Sequence, residues 1–256
     1  EENECQGLPD RIPRTSRIQD HSRNILSDNR QKGIAMGRNI VILCDGTFPK
    51  TEYPRYLMMM ADFIICCDGA LVKFLRNSTA IFGEERLPDL VIGDMDTLSA
   101  AMQKKYRDII VKEEEQEHND QTKAVRWAVN NIADLEHIYI LGSTGGRPEH
   151  TIGNAGLLME YTRMFSLDER EITVEAVSDY GTMFPVTDSI SLDCGEGRQI
   201  SVFSPDPSLT IKSEGLQWPT DDVVFDNWWK ATLNRASQDT VTLTFSHKSL
   251  ALIMMN

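Results

Sequence analysis

The sequence lacks a surplus of basic residues and a long apolar run, and each absence excludes a class of protein. Its 256 residues hold 26 Lys and Arg against 39 Asp and Glu, which gives a formal net charge of −13. Binding to duplex nucleic acid or to an anionic membrane surface normally needs the opposite balance. No apolar run reaches the ~18–20 residues that span a bilayer. We therefore predict a protein that binds neither nucleic acid nor membrane.

Cysteine is scarce, and its placement excludes two further classes. The five cysteines form an odd number, and no two have the spacing of a C-x-x-C pair. Cys44, Cys66 and Cys67 lie inside apolar runs, where cysteine behaves as a small hydrophobe. This usage disfavours a disulfide framework and a zinc site. The polar first residues also lack the apolar core of a signal peptide. We expect a reducing compartment, the cytoplasm.

A polar segment precedes the first strong apolar run. Residues 1–38 hold seven Lys and Arg and six acidic residues, with few large apolar side chains. Such composition cannot bury enough apolar surface to form a core of its own. We interpret residues 1–38 as a tail that is disordered or takes no part in the chemistry.

Residues 39–168 alternate between short apolar runs and helical stretches. The apolar runs are continuous, as expected of strands buried on both faces, and each ends in Asp or Gly. They cover residues 40–44, 63–67, 89–92 and 137–141. The predicted helices cover residues 54–60, 70–76, 100–106, 120–131 and 154–165. This alternation predicts a parallel sheet whose ligands bind at the carboxyl ends of the strands.

The pattern changes after residue 168. Short runs rich in Val, Ile, Thr and Phe are separated by turn residues, which is typical of a small antiparallel sandwich or barrel. These runs cover residues 172–177, 189–192, 199–203, 209–211, 223–225 and 240–245. We therefore predict an α/β fold with an N-terminal parallel-sheet domain over 39–168 and a C-terminal antiparallel β-sandwich domain over 169–256.

Two carboxylates follow the third predicted strand, in Gly-Asp-Met-Asp-Thr at 93–97. On extended backbone this spacing places Asp94 and Asp96 on one side of the chain. Two hard oxygen donors on a loop suit Mg²⁺. The competing interpretation is an Asp that caps the next helix, for which Thr97 and Ser99 are also eligible.

Acidic residues also stand at other strand and helix ends. Asp45 and Asp68 each precede a glycine, which permits a close backbone approach or a positive φ. An ordinary tight turn is the competing interpretation, and for Asp45 the favoured one. An acidic run at 113–120 precedes the helix predicted over 120–131. Its composition alone favours a solvated loop with Asp120 as the helix N-cap.

A glycine-rich loop, Gly-Ser-Thr-Gly-Gly-Arg-Pro-Glu-His at 142–150, follows the fourth strand and precedes a helix. Such a loop offers backbone N–H groups and the positive end of the helix dipole to phosphate. Arg147 adds a guanidinium that can bind phosphate oxygens through two hydrogen bonds. The alternative is a flexible turn, and His150 taken alone is more often a structural or surface residue than a base.

Taken together, these segments resemble the thiamine pyrophosphokinase family. The family's Asp-Gly-Gly-Ala turn is matched at 68–70 with one glycine fewer, and its Gly-Asp-Phe-Asp-Ser motif at 93–97. Its Asp-Gln-Asp-x-Thr-Asp-x-x-Lys-Ala segment and its Gly-Gly-Arg-x-Asp-His loop are similar to 115–124 and 145–150. Its Gly-Leu-Lys-Trp and Ser-Thr-Ser-Asn motifs are similar to 215–218 and 231–234. The order of the six motifs holds across 39–256.

Four positions depart from the family pattern. Glu115 and Glu117 stand where the family has Asp, and Asn119 stands where it has Thr. Glu149 replaces an Asp, and its extra methylene requires a shifted backbone for the same contact. These substitutions are conservative, which favours a divergent branch over a loss of activity.

The resemblance implies transfer of a pyrophosphoryl group from ATP to the hydroxyl of thiamine, with Mg²⁺ as cofactor and AMP as leaving group. It implies a homodimer whose β domains help to build the vitamin sites. The catalytic residues it implies are Asp94, Asp96, Asp120, Arg147 and His150. The metal ligands it implies are Asp68, Asp94, Asp96 and Asp120. The residues it implies for nucleotide and metal binding are Asp68, Gly69, Gln116, Lys123, Gly145, Gly146, Arg147 and Asn154. For thiamine binding they are Trp218, Thr232 and Asn234.

Two other functions compete with this hypothesis. A Mg²⁺-dependent phosphohydrolase of the haloacid dehalogenase type also has Asp-x-Asp at a strand end, but it needs a Thr two residues beyond the second Asp. Here Thr97 follows directly. A non-enzymatic nucleotide or vitamin sensor on the same fold is compatible with Glu149. Retention of four residues argues against the sensor: Asp94, Asp96, Asp120 and Arg147.

Overall fold

The computed structural model describes residues 37–256. The tail predicted over 1–38 lies outside the described residues except for its last two, and Arg38 already begins the first strand. The first half alternates between strands and helices: β1 (Arg38–Leu43), α1 (Glu52–Met60), β2 (Phe63–Cys67), α2 (Ala70–Phe82), β3 (Leu90–Gly93), α3 (Ala100–Lys105), β4 (Ile110–Lys112), α4 (Asp120–Asn131), β5 (Leu135–Leu141) and α5 (Pro148–Met164). The second half contains the strands β6 (Thr173–Val177), β7 (Thr182–Val186), β8 (Ile190–Asp193), β9 (Gln199–Phe203), β10 (Ile211–Glu214), β11 (Ala231–Arg235), β12 (Thr240–Phe245) and β13 (Ala251–Met255).

Ten of these strands form one sheet in the order β11-β9-β13-β7-β6-β5-β1-β2-β3-β4. Its strands pair parallel from β6 to β4 and antiparallel from β6 to β11. A second, three-stranded antiparallel sheet has the order β10-β12-β8. The predicted fold class, a parallel α/β part followed by an antiparallel β part, is therefore confirmed. Because β6 pairs with both β5 and β7, hydrogen bonding continues across the predicted domain boundary, which stays a prediction.

Alternating burial explains why the parallel strands read as unbroken apolar runs. In β1, Ile40 and Ile42 face α4 and α5, whereas Val41 and Leu43 face α1 and α2. Each face is covered by helices, so all four side chains from Ile40 to Leu43 are apolar. A third apolar cluster lies between the antiparallel strands of the large sheet and the three-stranded sheet, which gives the predicted sandwich.

Several elements differ from the sequence-based expectation. The strands β4, β7, β11 and β13 were not predicted, because β7 contains Pro185, β11 has a left-handed Leu233 and β13 is rich in Met. No strand forms at 223–225; the chain turns there, and Phe225 is buried in the sandwich core. Helix α5 begins six residues earlier than expected, because Pro148 is tolerated in the first helical turn.

Membrane association was predicted to be absent. Among residues 37–256, no helix combines the length and the apolarity that a membrane span requires.

Glu175 on β6 gives the fold a predictable pH dependence. It lies opposite Tyr139 of β5 on the large sheet, and burial raises the pKa of its carboxyl to about 7. A carboxyl whose pKa is raised in the folded state destabilises the fold progressively as pH rises from about 4.5 to about 7. We expect Glu175→Gln to increase the free energy of unfolding by about 2 kcal/mol more at pH 8 than at pH 5. Urea denaturation at both pH values measures this difference.

The matched control is Glu84→Gln, which makes the same charge change on an exposed residue. A gain of equal size at both pH values in Glu175→Gln, or the same pH-dependent gain in Glu84→Gln, would contradict the prediction.

Candidate active site

The carboxyl ends of β1, β2, β3 and β5 surround one cavity of 640 Å³. This volume lies within the range of pockets that hold nucleotide-sized ligands. Most of the predicted site residues line the cavity: Asp68, Gly69, Asp94, Asp96, Gln116, Asp120, Lys123, Gly146, Arg147, His150 and Asn154. Gly145 adjoins this lining through Gly146. The predicted convergence of strand ends is confirmed.

Three carboxylates gather at one side of the cavity. One carboxylate oxygen from each of Asp68, Asp94 and Asp96 lies within 4.8 Å of the other two. Asp68 is buried; its Oδ2 accepts the Thr97 N–H at 3.2 Å, and its Oδ1 has no hydrogen-bond partner in residues 37–256. A buried oxygen without a donor is costly, and a cation beside it removes that cost. The donor set is three hard carboxylates, which fits a divalent cation.

The backbone brings Asp94 and Asp96 together by a turn. The prediction of extended backbone is wrong at this point, because Met95 adopts a left-handed φ of 67° and buries its side chain in the layer with α1 and α2. Asp94 Oδ1 then accepts the Asp96 N–H at 3.1 Å. The capping alternative is also wrong for both acids, since Ser99 caps α3 by accepting the Met102 N–H at 3.3 Å.

Asp120 projects from the first residue of α4. The prediction of Asp120 as N-cap is wrong, because Asn119 occupies that position and accepts the Thr122 N–H at 2.9 Å. Asp120 approaches Gly93 so closely that a Cβ there would lie 3.0 Å from its carboxylate. Lys123, itself 2% exposed, donates to Asp120 Oδ1 at 3.3 Å. Burial raises the pKa of Asp120, and the Lys123 cation opposes that rise.

The acids of the cavity differ in their electrostatic surroundings. Gln116 Nε2 donates to Asp94 Oδ2 at 3.0 Å, and this hydrogen bond lowers the pKa of Asp94. Burial instead raises the pKa of Asp68. The raised pKa of Asp68 reflects the cost of burying a carboxylate whose Oδ1 has no donor, a cost that a bound cation would offset.

The glycine-rich loop is fixed to the loop after β1. Gly46 N–H donates to the Gly142 carbonyl at 2.9 Å, and the Thr47 hydroxyl donates to the Gly145 carbonyl at 3.0 Å. Gly145 has a φ of 79°, and a Cβ there would lie 2.0 Å from Thr47 Oγ1, so only glycine fits. Asn154 supports the loop from α5 by donating to the Ser143 carbonyl at 2.8 Å. Hydrogen bonds to the loop after β1 and to α5 therefore hold the glycine-rich loop in a defined conformation, unlike the flexible turn of the alternative interpretation.

The loop ends at the N-terminus of α5. Arg147 occupies the N-cap position without a side-chain cap, Pro148 has no N–H, and the His150 N–H donates to the Arg147 carbonyl at 3.1 Å. The positive end of the helix dipole remains to favour an anion at this position. The Arg147 guanidinium is largely exposed, forms an ion pair with Glu149 at 3.4 Å and contacts His150 Nε2. Arg147 therefore brings a positive group to the same cavity as the three acids.

The predicted thiamine-binding residues lie outside the cavity of the chain that carries them. Trp218, Thr232 and Asn234 belong to the antiparallel part and do not line the cavity. Trp218 is 53% exposed. Asn234 is buried; it donates to the Trp218 carbonyl at 2.6 Å and accepts the Trp218 N–H at 3.2 Å. In one chain, Asn234 therefore fixes the backbone that presents Trp218.

Some contributors to the site were not predicted. Cys44 and Cys67 line the cavity with their sulfur atoms 4.0 Å apart, and their places at the ends of β1 and β2 could have indicated this. The Thr97 hydroxyl donates to Asp96 Oδ1 at 2.9 Å. Arg126 of α4 bonds to the acidic loop at Glu113 and Glu115, and no local motif signals that contact.

Comparison with known proteins matches these two parts of the fold separately. Residues 54–168 match the family model for the thiamin pyrophosphokinase catalytic domain, and residues 181–252 match the model for the thiamin pyrophosphokinase substrate-binding domain. Thiamine pyrophosphokinase 1 of Oryza sativa subsp. japonica is 24% identical over 217 residues, which cover 75% of this chain and 79% of the rice protein.

Solved structures agree on the fold. Thiamine pyrophosphokinase from Bacillus subtilis has a TM-score of 0.68 at 17% identity and covers 86% of this chain and 99% of its own. Thiamin pyrophosphokinase from Candida albicans has a TM-score of 0.69 at 14% identity and covers 86% of this chain and 88% of its own. With both domain models matched in order around an acidic, glycine-rich cavity, the chain belongs to the thiamine pyrophosphokinase family.

Proposed function

We propose that the protein transfers the pyrophosphoryl group of ATP to the hydroxyl of thiamine, which yields thiamine diphosphate and AMP. The family is one of enzymes with this activity, and the comparisons favour neither the phosphohydrolase nor the sensor. One observation carries the proposal for this chain. The carboxylate cluster of Asp68, Asp94 and Asp96 shares a single cavity with the glycine-rich loop and with Arg147 at the N-terminus of α5.

We assign the metal site to Asp68, Asp94 and Asp96, with Asp120 completing the acidic wall. The unpaired buried Oδ1 of Asp68 and the mutual approach of three carboxylates support this assignment. A bound Mg²⁺ supplies charge neutralisation for the triphosphate. Gln116 orients Asp94, and the Thr97 N–H and hydroxyl orient Asp68 and Asp96.

Phosphate binding is assigned to the part of the cavity that the glycine-rich loop forms. The backbone N–H groups of Gly145 and Gly146 and the positive end of the α5 dipole attract phosphate oxygens. Arg147 adds a guanidinium that can stabilise the negative charge that builds on the transferred group. Lys123 also lines the cavity, but its buried cation is bound to Asp120, so we assign it to the support of that acid.

Asp120 is our candidate for the group that orients and deprotonates the thiamine hydroxyl. Burial raises the pKa of its carboxyl, which makes it a better proton acceptor than an ordinary Asp. The hydroxyl oxygen attacks the β-phosphorus of ATP in line with the departing AMP oxygen. His150 lines the same cavity, and we propose that it relays the proton outward.

Thiamine binding is assigned to Trp218, whose exposed indole suits the cationic thiazolium ring. Thr232 and Asn234 lie on β11, and Asn234 is hydrogen-bonded to the Trp218 backbone. Since these residues do not line the cavity of their own chain, we propose a homodimer in which each protomer presents Trp218 to its partner's cavity. The free, buried state of Cys44, Cys66, Cys67 and Cys194 supports our placement of the protein in the cytoplasm.

AMP release from ATP and Mg²⁺, with and without thiamine, tests this function. We expect AMP to form only when thiamine is present, in equal amount with thiamine diphosphate measured by chromatography. Phosphate release that is indifferent to thiamine would indicate the phosphohydrolase. Thiamine binding without any turnover would indicate the sensor.

A further inference from the structure

We propose that Arg126 is a positioning residue that holds the loop of residues 113–119 so that Gln116 can orient Asp94. Arg126 lies outside the six motifs that carry the family resemblance, and it does not line the cavity. The inference rests on the proposed function, because it treats Asp94 as a metal ligand. In this inference Arg126 acts on Asp94 through two other residues, Glu115 and Gln116.

The guanidinium of Arg126 joins two carboxylates of the loop. Its Nη2 donates to Glu113 Oε2 at 2.5 Å and to Glu115 Oε1 at 3.0 Å. All three side chains are about two-thirds or more buried, at 31%, 25% and 35% exposed. An exposed ion pair contributes little, but a guanidinium shared by two partly buried carboxylates also cancels their mutual repulsion.

The Glu115 carboxylate, which is paired with Arg126, also forms hydrogen bonds that fix the shape of the loop. Its Oε2 accepts the N–H groups of Glu117 at 2.9 Å and His118 at 3.1 Å, and its Oε1 contacts His118 Nδ1 at 3.0 Å. The carboxylate therefore closes a turn around the residue that follows it, Gln116. At that position the Gln116 amide donates to Asp94 Oδ2 at 3.0 Å.

Both ends of the loop are anchored without Arg126. Glu113 N–H donates to the Gly93 carbonyl at 2.8 Å, and Lys123 Nζ donates to the Glu113 carbonyl at 3.0 Å. Asn119 caps α4. Loss of Arg126 is thus expected to release the middle of the loop, 114–118, and leave α4 in place. Asp94 would then lose the donor that fixes its carboxylate, and loss of such outer partners typically costs about 10–100-fold in metal affinity.

The test compares Arg126→Gln with the matched control Arg163→Gln, which removes an Arg from an exposed i,i+3 ion pair on α5. In the metal-free proteins, we expect the Glu117 and His118 amides to exchange hydrogen about 10-fold faster or more in Arg126→Gln alone. Calorimetry should give a Mg²⁺ dissociation constant raised about 10-fold in Arg126→Gln and unchanged in Arg163→Gln. Arg126→Lys should recover part of the amide protection and part of the Mg²⁺ affinity. Lysine keeps the positive charge but lacks the planar guanidinium that binds two carboxylates at once.

A double-mutant cycle with Gln116→Ala identifies the route. If Arg126 acts through Gln116, Arg126→Gln changes Mg²⁺ affinity by less than about 2-fold in the Gln116→Ala background. Full additivity of the two losses, or unaltered exchange at Glu117 and His118, would overturn the proposal. Should Arg126→Gln fail to fold, Glu115→Gln weakens the same turn and keeps the Arg126–Glu113 pair.

Failure of the proposed function is separable from failure of this inference. Hydrogen exchange and calorimetry need no turnover. If the wild-type protein forms no AMP but the exchange and affinity changes appear, the reaction is wrong and the role of Arg126 stands. If the wild-type protein binds no Mg²⁺, both are overturned.

Discussion

Replacing Asp94 by Asn is expected to lower kcat/KM for thiamine about 10³-fold and to remove the rise in Tm that Mg²⁺ gives the wild-type protein. Asp94 belongs to the three carboxylates whose oxygens lie within 4.8 Å of one another. These acids repel each other when no cation is present, so metal binding stabilises the fold. The Asn side chain removes one negative charge and leaves the shape of the site unchanged.

In the metal-free protein the same substitution is expected to leave the Tm unchanged or slightly lower. The donors Gln116 and Asp96 N–H lower the pKa of Asp94, so its ionised form stabilises the folded state, and the loss of this contribution offsets the relief of repulsion among the three acids. Thermal denaturation with and without Mg²⁺, alongside steady-state kinetics, separates lost metal binding from lost folding. Asp108→Asn is the control, since Asp108 is 87% exposed and pairs only with its neighbour Arg107 among the contacts of the described chain. Wild-type turnover in Asp94→Asn would remove Asp94 from the mechanism.

The parallel part of the fold was predictable because its strands are buried on both faces. The bounds of β2 and α4 agree with the sequence-based ranges to the residue. Residues such as Ile40 and Val41 are apolar whichever face they occupy, so the pattern survives without knowledge of the packing. In β13 the same information is missing, because Met254 and Met255 have no strong preference for strands and only pairing with β7 and β9 extends them.

The site was predictable where chain position alone decides it. Asp68 and Asp94 follow strand ends, and parallel strands bring their ends to one edge. The details depend on backbone conformations that composition does not specify. Met95 adopts a left-handed φ, and the turn it forms brings the Asp94 and Asp96 carboxylates together. Asn119 occupies the N-cap position of α4, so the Asp120 side chain is not needed there. Arg126 lies on α4 and contacts Glu115 in the loop that precedes this helix. This is a tertiary contact that no local sequence motif indicates.

Replacing Asp120 by Asn is expected to lower kcat about 10²–10⁴-fold with little change in the affinity for Mg²⁺. Asp120 stands apart from the cluster of Asp68, Asp94 and Asp96, and its partner is the buried Lys123. Asparagine keeps a hydrogen bond to the hydroxyl but cannot take its proton. We therefore expect loss of the chemical step with the metal site intact, which single-turnover kinetics and calorimetry measure separately.

The pH profile distinguishes this role from a structural one. Burial raises the pKa of Asp120, so the wild-type rate should fall as pH decreases through a value above that of an ordinary Asp. The residual rate of Asp120→Asn should lack this acid limb. Asp134→Asn, an exposed site with a φ of 55° that Asn tolerates well, controls for the change in net charge. An unchanged acid limb in Asp120→Asn would transfer the role of base to another group in the cavity, of which His150 is the first to test. Asp94 and Asp120 thus give opposite results: the first substitution removes the response to Mg²⁺, and the second keeps that response and removes turnover.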